Sequence, residues 1–172
     1  MKTKQLAYCA LFAAFIAVAS QISIPMTPVP INLAVLAVLS AGAVLGLKYG
    51  TLSVVVYILL GCVGVPVFSS FRGGLGVIAG VTGGYIVGYI IIALVTGFVC
   101  ERTEKLKIVI PAMILSVALC YTLGTVWYCI LTGTPAGAAL ASCVIPFIPG
   151  DIIKIAAAVL IFKRVRKNKN NA

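Results

Sequence analysis

Long apolar stretches, separated by short segments rich in proline, glycine or charge, make up most of this chain. We interpret six of the stretches as membrane-spanning helices, because their apolar runs approach the length that a bilayer crossing requires. They lie at residues 5–22, 31–47, 50–63, 85–99, 108–131 and 147–162. The second and third are joined by a short link, which predicts a tight helical hairpin. The pattern predicts an all-α integral membrane protein, a bundle of six transmembrane helices in a single membrane domain of residues 1–172.

Two segments between the predicted spans are unsuited to helix. Residues 24–30 contain three prolines, which favour an extended, semi-rigid loop. Residues 65–84 combine glycines and aromatic side chains around a single cation, Arg72. Glycine allows a backbone to approach a ligand closely, so this segment is a candidate binding loop. The competing interpretation is an ordinary surface loop with a solvated arginine.

A third irregular segment lies near the C-terminus. Residues 136–162 exceed the length of one crossing and are broken by Pro146 and Pro149. We predict a short re-entrant or interfacial piece at 136–144, then the sixth span, then a basic tail at 163–172. Broken backbone at membrane depth is tolerated where it is buried in protein or lines a cavity, so this interruption indicates a binding site.

Asp151 is the only carboxylate inside an apolar part of the chain, and Lys154 follows three residues later. On a helix this spacing places both charges on one face. We expect a helix to begin at Asp151, after Pro149 and Gly150, where free backbone N–H groups favour an anion. Ionisable residues at membrane depth are costly and are read as functional. The alternative is that Asp151 only caps the helix while the Lys154 side chain extends outward to solvent.

Composition and charge narrow the class of protein. Of 172 residues, 62% are hydrophobic and 9% are charged, which is too apolar for a soluble domain. The net charge of +10 does not indicate nucleic-acid binding, because the basic residues flank the apolar spans. With six spans, all 13 lysines and arginines except Arg72 and Lys154 fall on the side that holds both termini. The positive-inside rule makes both termini cytoplasmic, so the three irregular segments would meet at an externally open pocket.

The residue inventory also excludes several chemistries. The chain has no histidine, one intramembrane carboxylate and no C-x-x-C spacing. A nucleophile with a histidine base, a paired-carboxylate site and a metal site therefore cannot be assembled. The phosphate-binding pattern G-x-x-x-x-G-K-[ST] is absent as well. We expect neither an enzyme nor a metal or cofactor site.

Six motifs along the chain resemble one known family. They are I-P-M-T-P-V-P at 24–30, L-A-V-L-S-A-G at 36–42, G-C-V-G-V-P-V-F at 61–68, G-G-L-G at 73–76, T-G-G-Y at 82–85 and P-F-I-P-G-D-I-I-K at 146–154. Together they are similar to the BioY family, the biotin-binding S components of energy-coupling factor (ECF) transporters. The resemblance implies a multi-pass protein of a prokaryotic cell membrane that captures biotin from outside. It also implies delivery of biotin to a transmembrane coupling subunit that works with two ATPase subunits.

Family motifs matched to this chain imply specific contacts. Asp151 and Lys154 match the family's acidic and basic pair, and Asp151 would accept hydrogen bonds from the ureido N–H groups of biotin. Arg72 or Lys154 would hold the carboxylate or the carbonyl oxygen, and which end of biotin meets which residue stays open. The chain departs from the family at Val81, where a proline is usual, and around Asn32, which we expect to replace a usual glutamine. The predicted substrate-binding residues are Asp151, Lys154, Arg72, Tyr85, Asn32, Phe68, Phe147 and Gly84.

Two further expectations concern partners and alternatives. The resemblance implies that Ala10 and Ala14 contact the coupling subunit, although packing within the bundle explains such small residues equally well. The main alternative function is a self-sufficient, proton-coupled transporter of a small organic solute, with the pair of Asp151 and Lys154 as a proton relay. A purely structural role in the membrane would not explain why Arg72 is expected to converge with Asp151 and Lys154. Biotin is expected as a transported ligand and not as a cofactor, with membrane lipid as the surroundings and no nucleic acid as a partner.

Overall fold

The computed structural model describes residues 3–24, 26 and 29–170. Its helices are α1 Thr3–Gln21, α2 Ala34–Cys62, α3 Leu75–Ala79, α4 Gly83–Arg102, α5 Leu106–Thr132, α6 Ala136–Cys143 and α7 Ile148–Asn170. Two short strands, β1 Ser23–Ile24 and β2 Ile31–Asn32, and two 3-10 turns, Ser69–Phe71 and Ile145–Phe147, lie between them. Positions 1–2, 25, 27–28 and 171–172 lie outside the described residues, and they include part of the predicted proline loop and the end of the predicted tail.

Helix α2 consists of two helical arms joined by a sharp reversal at Gly46. This residue has φ 77° and ψ −169°, which glycine adopts without the steric strain of a side chain. The arms lie against each other, since a Cβ added at Gly50 would be 2.7 Å from the carbonyl oxygen of Ala41. The second arm begins at Leu47, whose N–H donates a hydrogen bond to Oε1 of Glu101 at 3.0 Å. The predicted hairpin is therefore present, with its turn at Gly46.

The helices form the predicted membrane bundle. Within the part of the chain that the structure describes, five helical regions are long and apolar enough to cross a membrane: α1, α2, α4, α5 and the region from α6 through α7. Because α2 reverses direction, it supplies two crossings, and the bundle has six transmembrane helices. The core lies where α2 packs on α4, with α1 and α7 against α2 and with α5 against α4. Gly42 meets the α4 backbone at Ala93 and Gly97, so these two helices approach closely.

Residues 31 and 32 are extended, although the second span was predicted to begin there. Strand β2 pairs antiparallel with β1, with Ser23 opposite Asn32 and Ile24 opposite Ile31. The Oδ1 atom of Asn32 accepts a hydrogen bond from the N–H of Ala34 at 3.0 Å. This local bond offers the backbone an alternative to helix, and α2 therefore starts at Ala34, two residues after the end of β2.

The C-terminal elements differ from the prediction at both ends of the last span. Helix α7 begins at Ile148, so Asp151 lies in its first turn and not at its start. Pro149 fits there because its missing N–H would have no helical partner. The helix then continues through the segment predicted as a tail. Arg166 stabilises this extension by donating to the carbonyl oxygen of Cys100 and by pairing with Glu104 at 3.4 Å.

Candidate functional site

A buried ion pair lies in the first two turns of α7. Lys154 Nζ is 2.7 Å from Asp151 Oδ1, and the two residues are only 5% and 4% exposed. The pairing expected from their spacing is thus present, and the Lys154 side chain does not extend to solvent. Buried charges persist when they are paired and hydrogen-bonded, and here each charge neutralises the other.

Tyr121 of α5 completes this arrangement. Its hydroxyl donates a hydrogen bond to Oδ2 of Asp151, so both carboxylate oxygens have partners. Its ring lies edge-on to Phe147, with ring centroids 6.3 Å apart. Tyr121 was not among the predicted site residues, because a tyrosine within an apolar span gives no indication of which helix it faces.

Asp151 and Lys154 line a cavity enclosed by α4, α5, α7 and the segment 29–35. We call it the Asp151 cavity. It has a volume of about 30 Å³, which is room for about one water molecule. Its lining residues are Val29, Pro30, Asn32, Val35, Tyr85, Tyr89, Ile92, Val117, Cys120, Tyr121, Phe147, Asp151 and Lys154. An acid, a base and three tyrosines therefore line one largely apolar space.

A second cavity, the Arg72 cavity, lies beside the first and also has a volume of about 30 Å³. The two share five lining residues, Val29, Pro30, Asn32, Tyr85 and Tyr89. The second cavity adds Tyr57, Phe68, Ser69, Arg72, Val77, Thr82 and Ile86. All three irregular segments of the sequence thus converge on a pair of adjoining cavities, separated only by shared side chains.

Arg72 reaches its cavity from an exposed loop. The backbones of Phe68 and Arg72 exchange two hydrogen bonds, of 2.9 and 3.2 Å, and Arg72 Nε donates to the Ser69 carbonyl oxygen at 3.2 Å. Among the described residues, no carboxylate forms an ion pair with Arg72. Its guanidinium is therefore oriented by the loop and is available to an anionic group.

Asn32 and Tyr85 stand between the two cavities. Asn32 Nδ2 donates to the Ser69 hydroxyl, and the Tyr85 hydroxyl lies 3.1 Å from Oγ1 of Thr125. Tyr89 follows Tyr85 by one helical turn and lines both cavities with it. Tyr89 was not among the predicted site residues, although its four-residue spacing from Tyr85 places the two tyrosines on one face of a helix.

The predicted apolar residues occupy different environments. Phe68 is 1% exposed, and its ring lies edge-on to Tyr57 with centroids 5.6 Å apart and fills the space beside Gly61. Phe147 is buried in the Asp151 cavity wall. Gly84 lines neither cavity. A Cβ there would overlap the side chain of Trp127, so Gly84 lies at a close contact between α4 and α5.

The small residues of α1 divide between two faces. Ala13 is 2% exposed and packs in the core, with Ala17 partly buried against it. Ala10 and Ala14 lie on the outward face, which is exposed along much of the helix. The outward pair is therefore not used for packing inside this chain, and that face is available to another helix.

These observations define a class of protein. A helical membrane bundle encloses a buried acid and base, aromatic walls and an oriented arginine, which is the architecture of a site for a small polar-headed solute. Cysteine, aspartate and glutamate side chains within the described ranges form no group of three that could hold a metal ion.

Comparison with known proteins identifies the family. A model of the BioY family matches residues 1–171. The biotin transporter BioY of Thermotoga maritima is 39% identical over 164 residues, covering 95% of this chain and 96% of the relative. A probable biotin transporter BioY of Pyrococcus horikoshii is 38% identical over 168 residues, covering 98% and 99% of the two chains. The chain belongs to the BioY family, a family of membrane transport proteins and not of enzymes.

A solved structure supports the same assignment. The crystal structure of the S component for biotin from an ECF-type ABC transporter matches with a TM-score of 0.88 and 32% identity. The match covers 96% of this chain and 92% of the other. The protein is accordingly a multi-pass membrane protein with the fold of such an S component.

Proposed function

We propose that this protein is the biotin-binding S component of an ECF transporter, which captures biotin at the outer face and delivers it through an ATP-driven module. The observation that carries the proposal is the buried pair of Asp151 and Lys154 in one of two adjoining cavities, which together draw on all three irregular segments. Family membership and relatives named as biotin transporters support the choice of ligand. Biotin is then the cargo, and no resident cofactor is proposed.

The cavity chemistry suits the two ends of biotin. The ureido ring carries N–H donors and a carbonyl acceptor, which match the Asp151 carboxylate and the Lys154 ammonium group. The carboxylate of biotin is an anion, and Arg72 is a cavity-lining cation that has no ion-pair partner among the described residues. The thioether ring and the aliphatic chain would lie against Tyr85, Tyr89 and Phe147. The ureido ring would therefore enter the Asp151 cavity while the carboxylate faces Arg72.

Entry of biotin requires movement of the side chains between the two cavities. Each cavity has about 30 Å³, whereas sites for small organic molecules span roughly 300 Å³ or more. Displacing Asn32, Tyr85 or Tyr89 would join the two cavities into one. Of these residues, Asn32 lies in a segment that connects two helices, and such segments move most readily because they contain the fewest regular backbone hydrogen bonds.

The distribution of basic residues supports an orientation in the membrane, and the exposed face of α1 supports a contact with the coupling subunit. The positive-inside rule places both termini in the cytoplasm, so the site would open outward. Ala10 and Ala14 on the exposed face of α1 would form the contact with the transmembrane coupling subunit, where small residues permit close helix approach. The sequence carries no P-loop pattern, and the family resemblance implies that two partner ATPase subunits hydrolyse ATP.

Calorimetry on the purified protein in detergent tests the ligand. Biotin should bind tightly with a stoichiometry near one, while thiamine and riboflavin, as controls, should not bind. A folded sample that fails to bind biotin would overturn the choice of substrate while leaving the family assignment intact. Such a result would direct attention to Asn32 and Val81, where the chain departs from the usual family pattern.

Uptake measurements test the energy source against the proton-coupled alternative. Cells that carry the coupling module should lose biotin uptake when ATP is depleted and keep most of it when the proton gradient is collapsed with ATP intact. The reverse result would indicate that the pair of Asp151 and Lys154 relays protons.

A further inference from the structure

Gln21, the last residue of α1, forms an unusual set of hydrogen bonds with the loop that carries Phe68, Ser69 and Arg72. Its Nε2 atom lies 3.0 Å from the Val67 carbonyl oxygen, 3.2 Å from that of Phe68 and 3.4 Å from that of Pro66. Its Oε1 atom accepts a hydrogen bond from the Phe71 N–H at 2.9 Å. One side chain therefore bonds to the backbone just before the 3-10 turn and to the last residue of the turn.

The loop that Gln21 holds is strained. Ser70 and Phe71 have φ values of 62° and 55°, in the left-handed region that is unfavourable for residues with a side chain. Such a conformation persists only when its surroundings fix it. The strained residue Phe71 is also the one whose N–H donates to Gln21, so this hydrogen bond directly stabilises the turn.

The same loop forms one wall of the proposed site. Phe68, Ser69 and Arg72 line the Arg72 cavity, and the Ser69 hydroxyl accepts a hydrogen bond from Asn32 at the boundary with the Asp151 cavity. Gln21 itself lines neither cavity. It acts on the site only through the backbone that it holds.

We infer that Gln21 is a positioning residue that holds the 66–72 loop closed over the site and thereby slows the release of bound ligand. The inference rests on the proposed function for the identity of the ligand, which is biotin. The primary amide suits this task chemically, because it presents donors to the carbonyl groups and an acceptor to the N–H at once. A carboxylate would keep the acceptor but place oxygen against the carbonyl oxygens, and a thioether would supply neither strong donor nor acceptor.

Two variants and one control test the inference. Gln21→Met removes the hydrogen bonds with little change in side-chain length, and Gln21→Glu retains only the acceptor. Gln5→Met is the matched control. Gln5 lies near the opposite end of the same helix and accepts a hydrogen bond from the Tyr49 hydroxyl.

Dissociation is measured in detergent by loading the protein with labelled biotin and chasing with excess unlabelled biotin. Gln21→Met should release biotin ~10-fold faster than the wild type, since the loop loses stabilisation equivalent to about one net hydrogen bond. Gln21→Glu should release it at least as fast, and Gln5→Met at the wild-type rate.

A second readout does not depend on biotin. Amide hydrogen exchange without ligand should accelerate at the Phe71 amide and its loop neighbours in both Gln21 variants, and should be unchanged there in Gln5→Met. Unchanged exchange in this loop overturns the positioning role. If the wild type binds biotin and Gln21→Met releases it at the wild-type rate, the positioning role is overturned as well. Accelerated exchange together with a wild type that does not bind biotin would support the positioning role and reject the proposed ligand, so the two failures are distinguishable.

Discussion

Lys154 Nζ lies 2.7 Å from Asp151 Oδ1, one turn away on the same helix, and both side chains are almost fully shielded from solvent. The pair is neutral as a unit, which reduces the cost of keeping two charges inside a membrane bundle. The Tyr121 hydroxyl donates to the second carboxylate oxygen, so the orientation of the carboxylate is fixed by two helices. A ligand that meets this pair therefore encounters an acceptor and a donor whose positions are already set.

Replacing Asp151 should impair biotin binding strongly. Asp151→Asn removes the anion that would accept the ureido N–H groups, and hydrogen bonds to a charged group contribute about 1.5–3 kcal/mol each. We expect affinity to fall at least ~30-fold in calorimetry. Lys105→Ala is the control, because it removes an exposed charge in a loop and should leave binding unchanged. Equal affinities for the two variants would reject the assignment of the site to this pair.

Tyr121→Phe should weaken binding less than Asp151→Asn. The variant keeps the ring beside Phe147 and removes only the hydrogen bond to a charged carboxylate, a loss of about 1.5–3 kcal/mol. Affinity should therefore drop ~10-fold or more, again by calorimetry. Tyr8→Phe makes the same change at an exposed residue of α1 that lines neither cavity, and should bind like the wild type. If both phenylalanine variants bind equally well, the Asp151 carboxylate is positioned without Tyr121.

Ala14→Trp should separate uptake from binding. Ala14 is exposed on α1, so the large ring can be accommodated by the isolated protein but would prevent close approach of a partner helix. Uptake by cells should be lost, while binding in detergent should be retained. Ala118→Trp, at an exposed position on α5, should leave both unaffected. Lost binding in Ala14→Trp would instead mean that this face packs within the chain.

Gly84→Ala should destabilise the fold. Its Cβ would overlap Trp127, and such overpacking costs about 1–3 kcal/mol, so the thermal unfolding temperature in detergent should fall. Gly137→Ala is the matched control on α6, where a Cβ would have no heavy atom within 4 Å. It should be neutral or slightly stabilising, because alanine restricts the unfolded chain more than glycine does. If Gly84→Ala instead keeps the wild-type unfolding temperature and binds biotin more weakly, Gly84 is a binding residue, as the sequence predicted.

The sequence predicted the features that depend on local chemistry. Long apolar runs specify membrane helices because unpaired backbone groups are costly in lipid, and helix formation satisfies them within each run. The three prolines at 24–30 and the interruption around Pro146 predicted breaks for a similarly local reason, since proline lacks an N–H. The pairing of Asp151 with Lys154 followed from a three-residue spacing on one helix.

The tertiary structure decided how these elements face one another. Tyr121 and Asp151 are 30 residues apart, and their hydrogen bond depends on how α5 and α7 are rotated about their own axes. Membrane helices are apolar on both their buried and their lipid-facing sides, so the sequence pattern does not specify that rotation. The same holds for Gly84, which the T-G-G-Y motif suggested as a ligand contact. In the structure it lies where α4 packs on α5, and the side chain of Trp127 occupies the space that a Cβ would take. Gln21 likewise acquires its role only when α1 and the 66–72 loop come together, because its hydrogen bonds join backbone groups that are distant in the chain.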